Sequence, residues 1–145
     1  MMIAMIAMDL MLVILGGVFV RDFLTIITQG KVHPIPNIPV LVMYTIVALV
    51  ATGWGWRHIG VGKIRQSITG ITLFAAGMTL LSTHVVLPWM CWISGFPVST
   101  YTGYETVHIA LGELIFFGLF GMWGVISLGL DIHRLLRSLG RSGKT

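Results

Sequence analysis

The chain has 145 residues, of which 56% are hydrophobic and only 10% are charged, and its formal net charge is +4. With a mean hydropathy of +0.93, a soluble domain of this composition would lack a polar surface, so water-soluble classes are excluded. The single cysteine, Cys91, also excludes an internal disulfide and a CxxC redox pair.

Four apolar segments are each long enough to cross a bilayer. A hydrocarbon layer of about 30 Å takes about 20 helical residues, and a helix satisfies every backbone hydrogen bond there. We therefore expect an all-α, four-helix transmembrane bundle that forms a single transmembrane domain over residues 1–145. The predicted spans are residues 3–28, 37–56, 67–92 and 107–130, and they are followed by a basic interfacial tail at 131–145.

The first segment is predicted to be a retained span rather than a cleaved signal, because no small-residue cleavage site precedes Arg21. Asp9 lies within this span and Glu113 within the fourth. An ionised carboxylate is costly in hydrocarbon, so each should face a partner or a polar cavity, or be protonated. For Glu113, the alternatives are a proton-relay or quinol-site acid and a hydrogen bond between helices.

Proline and glycine mark the ends of the spans. Pro34 and Pro36 interrupt the helical pattern before the second span, and Asn37 is the predicted cap of a helix with Pro39 in its first turn. Four glycines, at positions 53, 55, 60 and 62, mark the end of the second span and the loop after it. Pro88, Gly95 and Pro97 mark the predicted end of the third span and the start of the loop that follows it.

The distribution of basic residues predicts the orientation. Seven of the nine Lys and Arg residues lie in the second loop or the tail, so the positive-inside rule places both termini in the cytoplasm. The membrane is predicted to be a bacterial or archaeal inner (cell) membrane. The positive charge follows from this topology, and nucleic-acid binding is not expected.

Two histidines suggest a cofactor site near the outer face. His84 is near the outer end of the third span, and His108 is in the first turn of the fourth, so their predicted depths match. Axial ligation of a b-type haem requires two such imidazoles on facing helices. Gly77 and Gly112 fall near the histidines on a helical wheel, where they would leave a flat space for a porphyrin.

Other interpretations of these residues remain open. The glycines can serve helix packing alone, and a histidine near an interface can be solvated without any ligand. A metal ion other than haem is another alternative, with ligands drawn from His33, His84, Met90, Cys91, Glu105 and His108. A second haem at His133 is disfavoured, because 25 residues of helix separate it from His108.

No complete catalytic motif is present, so a stand-alone enzyme is less expected than a subunit. The leading prediction is a small subunit or anchor of a membrane electron-transfer complex, with a b-type haem at His84 and His108 and a nearby quinone. One alternative is a cofactor-free accessory or assembly subunit. Another is a small proton-coupled transporter that uses Asp9 and Glu113. The lipid bilayer and other membrane subunits are the expected partners.

Overall fold

A computed structural model of the protein describes residues 2–29, 38–94 and 104–142, and every regular element within these ranges is helical. A π-helical segment, Leu81–Val86, joins the third helix to the fourth. The helices are α1 (Met2–Gln29), α2 (Ile38–His58), α3 (Ile64–Leu80), α4 (Leu87–Ser94) and α5 (Tyr104–Ser142).

Four of the described stretches are long and apolar enough to cross a membrane, namely Met2–Arg21, Ile38–His58, Ile64–Val86 and Leu114–Gly140. The predicted all-α class and the four long helices are therefore confirmed. Pro39 lies in the first turn of α2, as expected, whereas Pro34, Pro36 and Asn37 lie outside the described residues.

Two helix boundaries differ from the prediction. The third span begins at Ile64 and continues as helix through Pro88 to Ser94. Pro88 has no amide hydrogen to donate to the carbonyl of residue 84, and a π-helical segment is one way to absorb such a missing bond. The fourth span and the basic tail form one uninterrupted helix, because no proline or helix-ending turn separates them.

The helices pack as two pairs. The longest contact is between α1 and α5, and α2 packs along α3, whereas α3 makes a smaller contact with α1 and with α5. Glycine sets the closeness of the first pair. A Cβ placed on Gly16 would lie 2.7 Å from the Cα of Gly121 and 2.8 Å from the carbonyl oxygen of Phe117. Only a missing side chain permits this approach of two backbones.

Glycine has the same role between α2 and α3. A Cβ on Gly55 would overlap the backbone nitrogen of Phe74, and one on Gly77 would lie 2.5 Å from Thr52 Oγ1. In the turn that joins this pair, Gly60 and Gly62 both have φ of +77°, a conformation that other residues rarely adopt. The short turn holds the second pair antiparallel.

Large apolar side chains cover the outside of the bundle as well as its core. Ile14 of α1 is 63% exposed, and Ile46 of α2 and Leu119 of α5 are each 58% exposed. Fully buried apolar residues such as Leu12 and Phe117 fill the interior. An apolar surface on this scale is unfavourable in water and is typical of a surface that meets lipid or other protein.

Candidate functional site

One end of the bundle holds the start of α1, the turn between α2 and α3, and the last part of α5. We call it the basic end, because five of the described cations lie there: Arg57, Lys63, Arg65, Arg134 and Arg137. A cluster of charged side chains lies just inside this end, and its acids are Asp9 of α1 and Asp131 of α5.

Arg65, in the first turn of α3, is at the centre of this charge cluster. Its Nη2 lies 2.6 Å from Asp131 Oδ2 and 3.6 Å from Asp9 Oδ2. Its Nε and Nη2 also donate hydrogen bonds to the hydroxyl of Ser127, at 3.2 and 3.0 Å, and Nη2 donates to the Ser127 carbonyl at 3.0 Å. Arg65 therefore joins α3 to α5 and to α1.

Asp9 is the least satisfied member of the cluster. It is fully buried, and no donor among the described residues is in good hydrogen-bond geometry to either carboxylate oxygen. The carbonyl of Asp9 lies against α5, since a Cβ on Gly124 would be 2.9 Å from it. The expectation that Asp9 faces a partner is met by Arg65, but at a distance longer than a hydrogen bond.

A second polar contact lies one helical turn deeper. Trp123 of α5 donates its indole N–H to Thr69 Oγ1 of α3 at 3.1 Å, and Thr69 is fully buried. Together with Arg65, this bond makes the interface between α3 and α5 polar near the basic end. Each contact satisfies a buried group that would otherwise destabilise the fold.

A pocket of about 230 Å³ opens onto the charge cluster from the basic end. Arg65 and Asp131 belong both to the cluster and to the pocket wall. The other lining residues are Met2, Met5, Lys63, Gln66 and Arg134. Buried Asp9 thus lies directly behind two residues of the pocket wall.

His84, the predicted haem ligand of the third span, has an aromatic environment. Its ring meets Phe19 of α1 edge to face, with centroids 4.7 Å apart, and Tyr44 of α2 at 5.8 Å. Phe19 in turn stacks on Phe117 of α5 at 3.6 Å. At this level, the ring of Phe19 occupies the space between His84 and α5.

Of the other predicted haem residues, Gly77 and the backbone of His108 can be placed relative to His84. Gly77 faces α2 and its surroundings are filled by Thr52, so the flat space expected there is absent. His108 precedes Phe117 by nine residues of continuous helix, an axial offset of about 13 Å from the level of His84.

No atom of the described residues lies within 4 Å of the Cβ position of Gly112. The side chains of His108, Glu113, Cys91 and Glu105, and all of His33, lie outside the described part of the structure. Their predicted roles as haem, metal or proton ligands stay predictions. Among the described residues, no three His, Cys, Asp or Glu side chains come together as a metal site.

Sequence reasoning found Asp9 but missed Arg65 and Asp131 as its neighbours. In the sequence, Arg65 was used only as one of the cations that predict the orientation, and Asp131 only as the first residue of the basic tail. A depth argument could have joined them, because all three lie within about two turns of the predicted inner ends of their spans. Arg65 and Asp131 lie at nearly equal predicted depth, and an acid and a base at one depth are expected to pair across a bundle.

Comparisons of the chain with protein-family models, with curated proteins and with solved structures find no match. The function must therefore be inferred from the residues themselves.

Proposed function

We propose that the protein is an integral membrane protein with both termini in the cytoplasm, and that it carries protons through a site centred on Asp9. The membrane location is supported by the four long apolar helices and by the apolar residues on their outer faces. The orientation is supported by the gathering of cations at the basic end, which would lie on the cytoplasmic side.

The orientation predicts which cysteine labels react from which side. With Cys91 replaced by serine, a cysteine at Lys63 should react with an impermeant maleimide only in inside-out vesicles. A cysteine at Ser99, between α4 and α5, should react only in intact cells. Labelling of the Ser99 position from the cytoplasm would contradict the proposed topology.

The single observation that carries the proton-carrier proposal is the fully buried carboxylate of Asp9, which lies 3.6 Å from Arg65 and has no described donor in good hydrogen-bond geometry. A buried polar group without hydrogen bonds is destabilising, so we infer that Asp9 is kept for its chemistry rather than for stability. Ionisable side chains within membrane helices most often mark ion or proton pathways. A group that binds and releases a proton must be able to exist without fixed donors.

Arg65 and Asp131 give Asp9 a route to the basic end. Both residues line the pocket, and Arg65 Nη2 lies within 4 Å of both carboxylates. A proton that enters through the pocket and binds Asp9 removes its attraction to Arg65, which stays bound to Asp131 and Ser127. Release towards the other end would use a further acid, and we propose Glu113 of α5 for this step.

Asp9→Asn should abolish proton flux without unfolding the protein. The amide keeps the size of the side chain but cannot bind a proton, and it removes a poorly satisfied buried charge. We expect a potassium-loaded proteoliposome with valinomycin and an internal pH dye to show flux for wild type. The Asp9→Asn variant should fall to the level of empty liposomes, with an unfolding midpoint at or above that of wild type.

His133→Gln is the matched control, because His133 is an exposed ionisable residue at the basic end, two residues after Asp131 in α5. Its flux should equal that of wild type. If Asp9→Asn keeps full flux, Asp9 is not the proton-binding group. If wild type itself gives none, the cluster is a structural link and the accessory-subunit alternative is preferred.

The electron-transfer subunit is a second candidate that rests on the two histidines. The contact of His84 with Phe19 and the axial offset of His108 weigh against a shared haem. A reduced-minus-oxidised spectrum of protein expressed with added haem tests this candidate directly. A low-spin b-type signal lost in both His84→Ala and His108→Ala would support it over the proton carrier.

A further inference from the structure

We propose that the pocket at the basic end binds the phosphate group of an anionic lipid. The inference uses the membrane location proposed above, but not the proton route. The pocket lining combines three cations, Lys63, Arg65 and Arg134, with one acid, Asp131, which gives a formal net charge of +2. The acid lies 2.6 Å from Arg65 Nη2, so Lys63 and Arg134 are the lining cations left to bind a phosphate.

The start of α3 adds donors to the same pocket. Lys63 is the capping residue of this helix, and its side chain makes no capping hydrogen bond. The first amide groups of a helix have no carbonyl partner within the helix, and they carry the positive end of the helix dipole. Gln66, in this first turn, also lines the pocket. Helix amides and flanking cations together favour a phosphate oxygen.

Two apolar side chains in the pocket lining favour a lipid over a soluble phosphate. They are Met2 and Met5 of α1, and methionine is a flexible side chain that adapts to irregular apolar ligands. A volume of about 230 Å³ is suited to a headgroup and its glycerol rather than to a bare ion. Basic pockets between membrane helices on the cytoplasmic side are typical lipid headgroup sites.

The test is a titration of the full-length protein in neutral detergent with phosphatidylglycerol, read by native mass spectrometry. Lys63→Gln and Arg134→Gln should each weaken lipid binding about fivefold, and the double variant about twenty-five-fold. Arg137→Gln is the matched control, because Arg137 is exposed on the same helix but does not line the pocket. It should keep the wild-type affinity.

Three results would overturn the proposal. An equal loss in Arg137→Gln would mean that the lipid responds to general charge and not to the pocket. Equal binding of phosphatidylcholine, which has no net charge, would remove the anionic requirement. Displacement of the lipid by glycerol phosphate at equal concentration would identify a soluble phosphate as the ligand. The Asp9→Asn flux assay is a separate readout, so either proposal can fail alone.

Discussion

Arg65→Leu should lower the free energy of unfolding by about 3–5 kcal/mol. The substitution removes the only described cation within 4 Å of Asp9 and Asp131, and it leaves both acids buried without compensation. It also removes the three hydrogen bonds to Ser127. The expected result is a large fall in the unfolding midpoint of purified protein in detergent.

Arg57→Leu is the control, because Arg57 is an exposed cation at the same end of the bundle. It should change the free energy of unfolding by less than about 0.5 kcal/mol. The triple variant Arg65→Leu, Asp9→Asn, Asp131→Asn should recover most of the lost stability, because no buried charge is left. A triple variant as unstable as Arg65→Leu alone would show that packing, and not charge, governs the cluster.

Gly16→Ala should also lower the free energy of unfolding strongly, by about 1–3 kcal/mol. The added Cβ would meet the backbone of α5 at 2.7 and 2.8 Å, and backbone atoms cannot rotate away as a side chain does. The two helices of the first pair must separate to admit the methyl group. Thermal unfolding in detergent measures the loss.

Gly17→Ala, one residue further along α1, provides an unusually close control. No atom lies within 4 Å of the position of its Cβ, so the methyl group meets no neighbour within the described residues. Alanine favours helix over glycine by up to about 1 kcal/mol, so this variant should be as stable as wild type or slightly more stable. Equal losses at the two positions would rule out the close crossing of α1 and α5.

The helices themselves were predictable, because an apolar run of about 20 residues leaves a chain few alternatives in a membrane. Their pairing was not. Haem ligation by His84 and His108 required the third and fourth spans to face each other, yet α5 packs mainly along α1 and makes a smaller contact with α3. Gly16 and Gly121 determine that choice through shape, and hydropathy carries no information about shape.

The charge cluster could be predicted only in part. The cost of burying Asp9 correctly indicated that it needs a partner. The sequence did not identify Arg65 as this partner, because it does not show whether a cation at the end of a span points to the lipid headgroups or into the bundle. Arg65 turns inward to a serine 62 positions away, and only the folded arrangement of α3 and α5 shows it.

The way in which the helices pair has a mechanical consequence. Within each pair, backbone lies on backbone at glycine, so neither pair can open or slide without losing many contacts at once. Between the pairs, the polar connections at the basic end depend on a few side chains, chiefly Arg65 and Trp123. We therefore expect rocking of one pair against the other to be the softest motion of the bundle.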